Sequence, residues 1–549
     1  MKKRRKPAPP PHAWIRKTEW LVALAVSVLA IVFHFVNLFN AGGLWRDEAA
    51  AVNLSAFPSF ASIWSHLEHE SFPLLLTLLL RGWTGIGLGG SDFGLRVFGL
   101  LVGIAVVGAI WWNAWIFSKA PPLFSLLLFA LSPTVIRWGD SLRAYGLGVF
   151  FLLLSLGLIW KFTRTWSRPT FVFAAVAAVL AAQALYQSVF VLVAFSLAGA
   201  ITAVRRRDFK RALLITSIGL AGAISLLPYL GVIGRAKQWN IVTETGADLS
   251  RIWLVLHRAL SDPGPLMFWL WVGLPATAIA GSCIFLLSKK KGRPGADGDA
   301  ALFLVIAIIG VTLAYYIFLT LLKFPTEVWY YLPWMAVIAV ALDALLFLAG
   351  RTVPTRVMRL AVVVLFAAVT AGGIWQQTHL RMTNLDVVAA RLSREASDGD
   401  LILVHPWFCG PTFDRYYNGK ASWETLPPLA DHRLQRLDLF KAQMQADAPV
   451  HPILEKIEAT LSQGRVVWLV GHYPFATPPR PPPTLPRPGE GPTGWNEAPY
   501  MMAYGMEVAY FLQAHALETK AVKLDLTQPV NPFENFPVMA VSGWRPARF

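Results

Sequence analysis

Eleven apolar runs long enough to cross a hydrocarbon core of about 30 Å organise the first two thirds of the chain. They lie near 20–39, 94–117, 121–136, 144–160, 170–186, 188–204, 212–232, 264–288, 300–320, 329–349 and 357–378. Such a pattern excludes a soluble globular fold. Composition agrees, because only 15% of the 549 residues are charged where a soluble domain has about 25%. The expected fold class is therefore a polytopic α-helical membrane protein. The first run exceeds a typical signal-peptide core and no clear A-x-A site follows it, so it reads as a signal anchor. Two cysteines, Cys283 and Cys409, cannot make a disulfide framework.

Charge fixes the expected sides. Residues 1–378 hold 33 Lys and Arg against 15 Asp and Glu, whereas residues 379–549 hold 16 against 17. The basic excess thus belongs to the membrane part, which is the signature of the positive-inside rule and not of nucleic-acid binding. One further run, 72–88 (FPLLLTLLLRGWTGIGL), carries Pro73, Arg81 and three glycines. If it spanned, every later basic cluster would move outside, so it is expected to lie at the outer interface as an amphipathic or re-entrant helix. Residues 1–19 then form a basic cytoplasmic terminus and 20–378 a transmembrane domain whose first outer loop is 40–93. Residues 379–549 fall outside as an α/β domain, since helical patterns alternate there with the strand patterns DLILVHP, RVVWLVG, AVKLDL and PVMAVSGW. The Pro-rich stretch 474–494 is expected to be a mobile loop. No Walker or dinucleotide-binding glycine pattern occurs.

Chemistry-bearing residues gather in the outer loops. Trp45, Arg46, Asp47 and Glu48 follow the first run directly, and adjacent carboxylates at a membrane surface are costly unless solvated or paired. The plain structural account makes Asp47 a helix cap and Glu48 a partner of the helix dipole. Against it, the outer turn SPTVIRWGDSLRAYGL brings Arg137, Asp140, Arg143 and Tyr145 to the same depth. Acids beside guanidinium groups suit a reaction between a lipid-held phosphate and a hydroxyl, in which arginine binds phosphate and a carboxylate takes a proton. Arg46, Arg143, Arg235 and Lys237 are candidates for the phosphate; for Arg235 and Lys237 a solvated loop edge is an equal alternative.

His66, Glu68, His69 and Glu70 could hold a divalent metal, zinc or manganese, with His257 from another outer loop. HLEHE at an aqueous interface is more often simply solvated. His34 and Asp343 lie inside apolar runs, where an ionisable residue marks function by default; Asp343 is expected to pair with Arg351.

Three segments together, LWRDEAAAVNLS, SFPLLLTLLLRGW with GGSDFGLRV, and SPTVIRWGDSLRAYGL, resemble the GT-C superfamily of membrane glycosyltransferases. The resemblance is to the branch of the protein O-mannosyltransferases and the lipid A aminoarabinose transferase, in its bacterial RgtA/B/C/D-like form. It covers residues 15–160 well and FPTEVWYYLPWMAV loosely. It implies a polyprenyl-phosphate sugar donor, a lipid, glycan or protein acceptor at the outer face of a bacterial inner membrane, and inversion at the anomeric carbon. Asp47 would be the general base, with Glu48 and Asp140 completing the catalytic acids. Arg143 and Tyr145 match the polar end of the second-loop motif. The common His-Pro-Pro-Leu signature is replaced by Glu70-Ser71-Phe72-Pro73-Leu74, and an Arg-Tyr pair by Trp329-Tyr330. A flippase of lipid-linked sugars is the main rival, weakened by the absence of an obvious inverted repeat. A non-catalytic scaffold is the other.

Overall fold

A computed structural model of the chain describes residues 13–243, 248–288, 296–491 and 494–546, with side chains 13, 283–288 and 296 left aside. The basic clusters MKKRRK and KKKGR and the Cys283 side chain lie outside that description. Nine helices among the described residues are long and apolar enough to cross a membrane. They are α1 (Ala13–Asn40), α5 (Asp92–Ser118), α7 (Ala144–Arg164), Ser188–Arg205, Phe209–Thr243, Pro265–Ser282, Asp297–Leu322, Val328–Ala349 and Val353–Thr378. The chain is a multi-pass helical membrane protein.

Two of the eleven expected runs take other forms. The run at 170–186 is a shorter helix, Arg168–Ala184. The run at 121–136 is not one helix: a π-helical turn at Leu126–Ala130 stops before Ser132, and α6 (Pro133–Gly139) restarts behind the Ser132 side chain. Irregular backbone is tolerated at membrane depth only where protein covers it, and residues 121–136 are all buried. Asp343 makes this possible. Its carboxylate accepts the backbone N–H groups of Leu123 (2.8 Å), Phe124 (3.2 Å) and Ser125 (3.4 Å) and the Ser125 hydroxyl at 2.8 Å. The expected Asp343–Arg351 pair is therefore wrong: Arg351 reaches Asp297 at 2.9 Å, because the unpaired donors of a broken helix need an acceptor more than a half-exposed guanidinium does.

The connection between α1 and α5 folds as α2 (Arg46–Ser55), α3 (Phe60–His66) and α4 (Leu75–Gly85). At 11 residues, α4 is about 16 Å long, too short to span a hydrocarbon core of about 30 Å. Arg81 on α4 donates to the carbonyls of Ser55 (3.1 Å) and Phe57 (2.6 Å), which stitches α4 to the end of α2.

The tail carries a five-stranded sheet of β1 (Leu401–His405), β2 (Ser422–Thr425), β3 (Val467–Gly471), β4 (Ala516–Val522) and β5 (Val538–Trp544), ordered β2-β1-β3-β5-β4. The first three are parallel, while β5 runs antiparallel to both β3 and β4. β1 and β3 are buried along their whole length, which is why each reads as an unbroken apolar run. Helices Leu385–Glu395, His451–Ser462 and Glu497–His515 match the expected helical stretches. β2 was not expected, and β4 begins five residues before AVKLDL. The Pro-rich stretch is irregular but tied down, since Tyr500 donates to the Pro486 carbonyl at 2.7 Å and Phe475 and Leu485 pack on the tail core.

Tail and bundle meet at one end. The Tyr416 hydroxyl accepts the Leu44 N–H at 2.7 Å, Arg415 grips Asp92 at 2.7 Å, and the Met382 N–H donates to the Ala41 carbonyl at 2.7 Å. The opposite end gathers the basic clusters: Arg356 and Arg359 on Glu19, Arg206 on Asp299, and Arg351 on Asp297.

Candidate active site

α2 starts the turn after α1 ends, so its first residues face the junction of bundle and tail. The capping role expected of Asp47 belongs to Glu48. Its Oε2 accepts the Trp45 backbone N–H at 3.2 Å, the reach-back half of a capping box. The same carboxylate takes the Leu142 N–H at 2.9 Å and two guanidinium N–H groups of Arg96 at 3.2 and 3.3 Å. Arg96 also donates to the carbonyls of Gly42 (3.0 Å) and Gly43 (2.6 Å). Glu48 is wholly buried, and with four donors it locks the start of α2, the turn before α7 and α5 together.

Relieved of capping, Asp47 keeps a free edge. Its Oδ1 accepts from the Gln435 amide of the tail at 2.5 Å and lies 3.7 Å from the Arg46 Nε. Among the described residues its Oδ2 has no hydrogen-bond partner, and the side chain is 22% exposed. Arg143 donates to the Asp47 carbonyl at 3.1 Å and to the Glu70 carboxylate at 2.9 and 3.1 Å. Its guanidinium lies 4.4 Å from the Phe72 ring centre. Phe72 meets Tyr145 edge-on at 5.1 Å, and Tyr145 meets Tyr330 at 6.1 Å. Glu70 and Phe72, which stand in the altered signature, therefore frame Arg143. Burial pushes the Glu70 carboxyl above its ordinary value against the opposing pull of Arg143. Beside this group Trp45, Trp138 and Trp329 form a cluster with centroid spacings of 4.1 to 5.6 Å.

The remaining expected site residues lie elsewhere. Asp140 turns into the bundle, where His34 meets it at 2.7 Å. Gly99 and Gly103 of α5 make room, since a Cβ at either would stand 1.8 Å from the Asp140 carbonyl or 2.2 Å from its Oδ1. Arg46 stacks on Phe408 at 4.2 Å, and its backbone N–H reaches Glu534 at 3.0 Å. Arg235 pairs with Glu68, and Lys237 is exposed with no partner among the described residues. Of the expected metal cluster, His69 and Glu68 stay 3.9 Å apart, but each member is drawn to another partner. His66 bonds the Ser62 carbonyl at 2.9 Å, Glu68 goes to Arg235, His69 stands 3.8 Å from Asp438, and Glu70 serves Arg143. His257 packs on Phe268 at 4.5 Å. No three His, Cys, Asp or Glu side chains among the described residues are placed to hold an ion.

The chain is similar in layout to ArnT from Cupriavidus metallidurans. Against its structure bound to undecaprenyl phosphate the TM-score is 0.48 at 12% identity, covering 84% of this chain and 93% of that one. Against the apo structure the TM-score is 0.46 at 12% identity, covering 82% and 93%. No protein-family model and no curated protein matches the chain.

Sequence reasoning missed Gln435, Glu497 and Glu534. Burial pushes the carboxyls of Glu497 and Glu534 up to about 7, Arg46 pulling both the other way. No local pattern marks these three, because each becomes meaningful only when the tail folds over the first outer loop. Arg96 had a signal, as the one charge inside the run 94–117, where a buried partner is required.

Proposed function

We propose that this chain is an integral-membrane glycosyltransferase that moves a sugar from a polyprenyl-phosphate donor to an acceptor hydroxyl at the membrane surface, with Asp47 as general base. What supports this reading above all is the Asp47 carboxylate: one oxygen is held by Gln435, the other is open, and Arg143 is anchored on the same residue's carbonyl. A phosphate-linked sugar already has a tolerable leaving group. The protein has chiefly to take the acceptor proton, hold the developing phosphate charge and limit water. In this reading Arg143, flanked by Tyr145 and Tyr330, meets the phosphate and Arg46 is its nearest reserve. Glu48 positions the base, and the buried Asp140 holds the second loop against α5. The tail, through Gln435, forms one wall of the acceptor site.

The side assigned to this chemistry follows from the basic clusters at the opposite end, which make that end cytoplasmic and the tail extracytoplasmic. Gly90→Cys, at an exposed position with open space around it, should react with an impermeant maleimide in intact cells; protection lifted only by permeabilisation would reverse the orientation. Transfer of radiolabelled sugar from a polyprenyl phosphate in proteoliposomes tests the activity. Asp47→Asn should reach the membrane and lose about a hundred- to ten-thousand-fold in rate. A variant that keeps more than about a tenth of the turnover, far outside that loss, removes Asp47 as base. Movement of the lipid-linked sugar between leaflets without transfer would make the protein a flippase.

A further inference from the structure

At the end of the bundle remote from the tail, a cavity of about 310 Å³ opens between the first turn of α1, the turn after α5 and the turn at 351–356. Arg16, Lys119, Arg351, Arg356 and Glu19 line it with Phe347. Four cations thus face one carboxylate, and that carboxylate is already consumed. Glu19 is fully buried and accepts from Arg356 at 3.0 Å and from Arg359 at 3.3 Å. Arg351 pairs with Asp297 and is half exposed. Arg16 has no hydrogen bond or ion pair among the described residues, and Lys119 has only the Trp115 ring at 4.9 Å. A concave site holding this much uncompensated positive charge is built for an anion.

The surroundings say that the anion belongs to a lipid. Trp14 and Trp115 stand exposed beside the cavity, and Trp20 and Trp111 pair at 5.3 Å, which marks the depth of the head groups. From there α1 continues with the exposed apolar side chains Leu21, Leu24 and Val28, a surface for acyl chains. We propose that this cavity binds the phosphodiester head group of an anionic membrane phospholipid, on the face opposite the candidate active site. Arg16 and Lys119 supply the free charge, and Arg356, fixed by Glu19, supplies a pre-oriented guanidinium fork.

The test is native mass spectrometry of the full-length protein in detergent with equal phosphatidylglycerol and phosphatidylethanolamine, comparing two charge-matched double variants. Arg16→Gln with Lys119→Gln empties the cavity of its unpaired cations. Lys161→Gln with Lys210→Gln removes two cations from the same end but outside the cavity. Wild type should retain phosphatidylglycerol selectively, the first variant should retain about thirtyfold less, as two juxtamembrane cations predict, and the second should stay within about twofold of wild type. Equal losses in the two variants would reduce the effect to diffuse charge and overturn the site. So would equal retention of the two lipids, or unchanged retention in the first variant. Displacement of the retained lipid by millimolar inorganic phosphate would make it a pocket for free phosphate. Neither variant touches the residues proposed for transfer, so sugar transfer can fail or persist independently of this result.

Discussion

Glu48→Gln separates a residue that builds the site from one that reacts in it. Glu48 is 0% exposed and Arg96 only 6%, so the change leaves a guanidinium in a dry place with no counter-charge. Breaking a buried pair from one side costs about 3–5 kcal/mol. Here the upper part of that range applies, because the carboxylate serves four donors and a Gln amide must turn its own N–H groups toward some of them. Measured against a total stability on the order of 5–15 kcal/mol, the loss is large, and thermal unfolding in detergent should show a drop of many degrees. Combining Glu48→Gln with Arg96→Gln removes the stranded charge, so the double variant should regain much of the stability lost by the single one. A single variant that melts at the wild-type temperature yet transfers no sugar would refute the reasoning and place Glu48 among the reacting groups.

Arg143→Lys keeps the charge but loses the planar guanidinium, one terminal nitrogen of which meets both the Asp47 carbonyl and Glu70; at limiting donor, kcat/KM should fall strongly while expression holds, and an unchanged value would move the phosphate to Arg46. Gln435→Ala removes one charge-assisted bond to Asp47, worth about 1.5–3 kcal/mol, so kcat should fall about tenfold or more with KM for the donor little changed; a loss confined to KM would argue that Gln435 contacts substrate instead. Stability should also depend on pH. The Glu497 and Glu534 carboxyls are raised to about 7, so the folded protein holds protons there that the unfolded chain releases near 4.5. Their contribution is complete below that lower value and is lost as pH rises through 7. Melting temperature should therefore fall between those limits, and Glu497→Gln with Glu534→Gln should flatten the profile; an unaltered slope would contradict the assignment.

The sequence is most legible where a single physical requirement acts locally. Apolar length announces most of the spans, the Pro and Gly residues of 72–88 mark a stretch that forms only a short helix, and β1 and β3 read as buried strands from LILVH and VWLVG. The acids that follow α1 are equally visible, but their division of labour is not. Asp47 and Glu48 are neighbours, and only the positions of Trp45, Leu142 and Arg96 decide which of them caps and which stays open. Likewise, HLEHE has the composition of a metal site, yet its side chains are engaged by Ser62, Arg235, Asp438 and Arg143. β2 escaped notice because SWET is short and half exposed at the sheet edge, and its pairing with β1 depends on residues about twenty positions away.

The buried carboxylate that satisfies the broken stretch after α5 also sets a timetable for biogenesis. The backbone N–H groups of Leu123, Phe124 and Ser125 find their acceptor at Asp343, some 220 residues later in the chain. At about 5–20 residues per second, the ribosome needs on the order of ten to forty seconds to deliver it. During that interval the broken stretch cannot sit in lipid as an independent helix, since open donors in hydrocarbon cost several kcal/mol each. It must wait in the translocon's aqueous shelter, or beside α1 and α5, until Val328–Ala349 arrives and closes the bundle around it. Burial of this stretch is thereby an event of late synthesis, and truncations ending before Asp343 should leave residues 121–139 open to labelling from water.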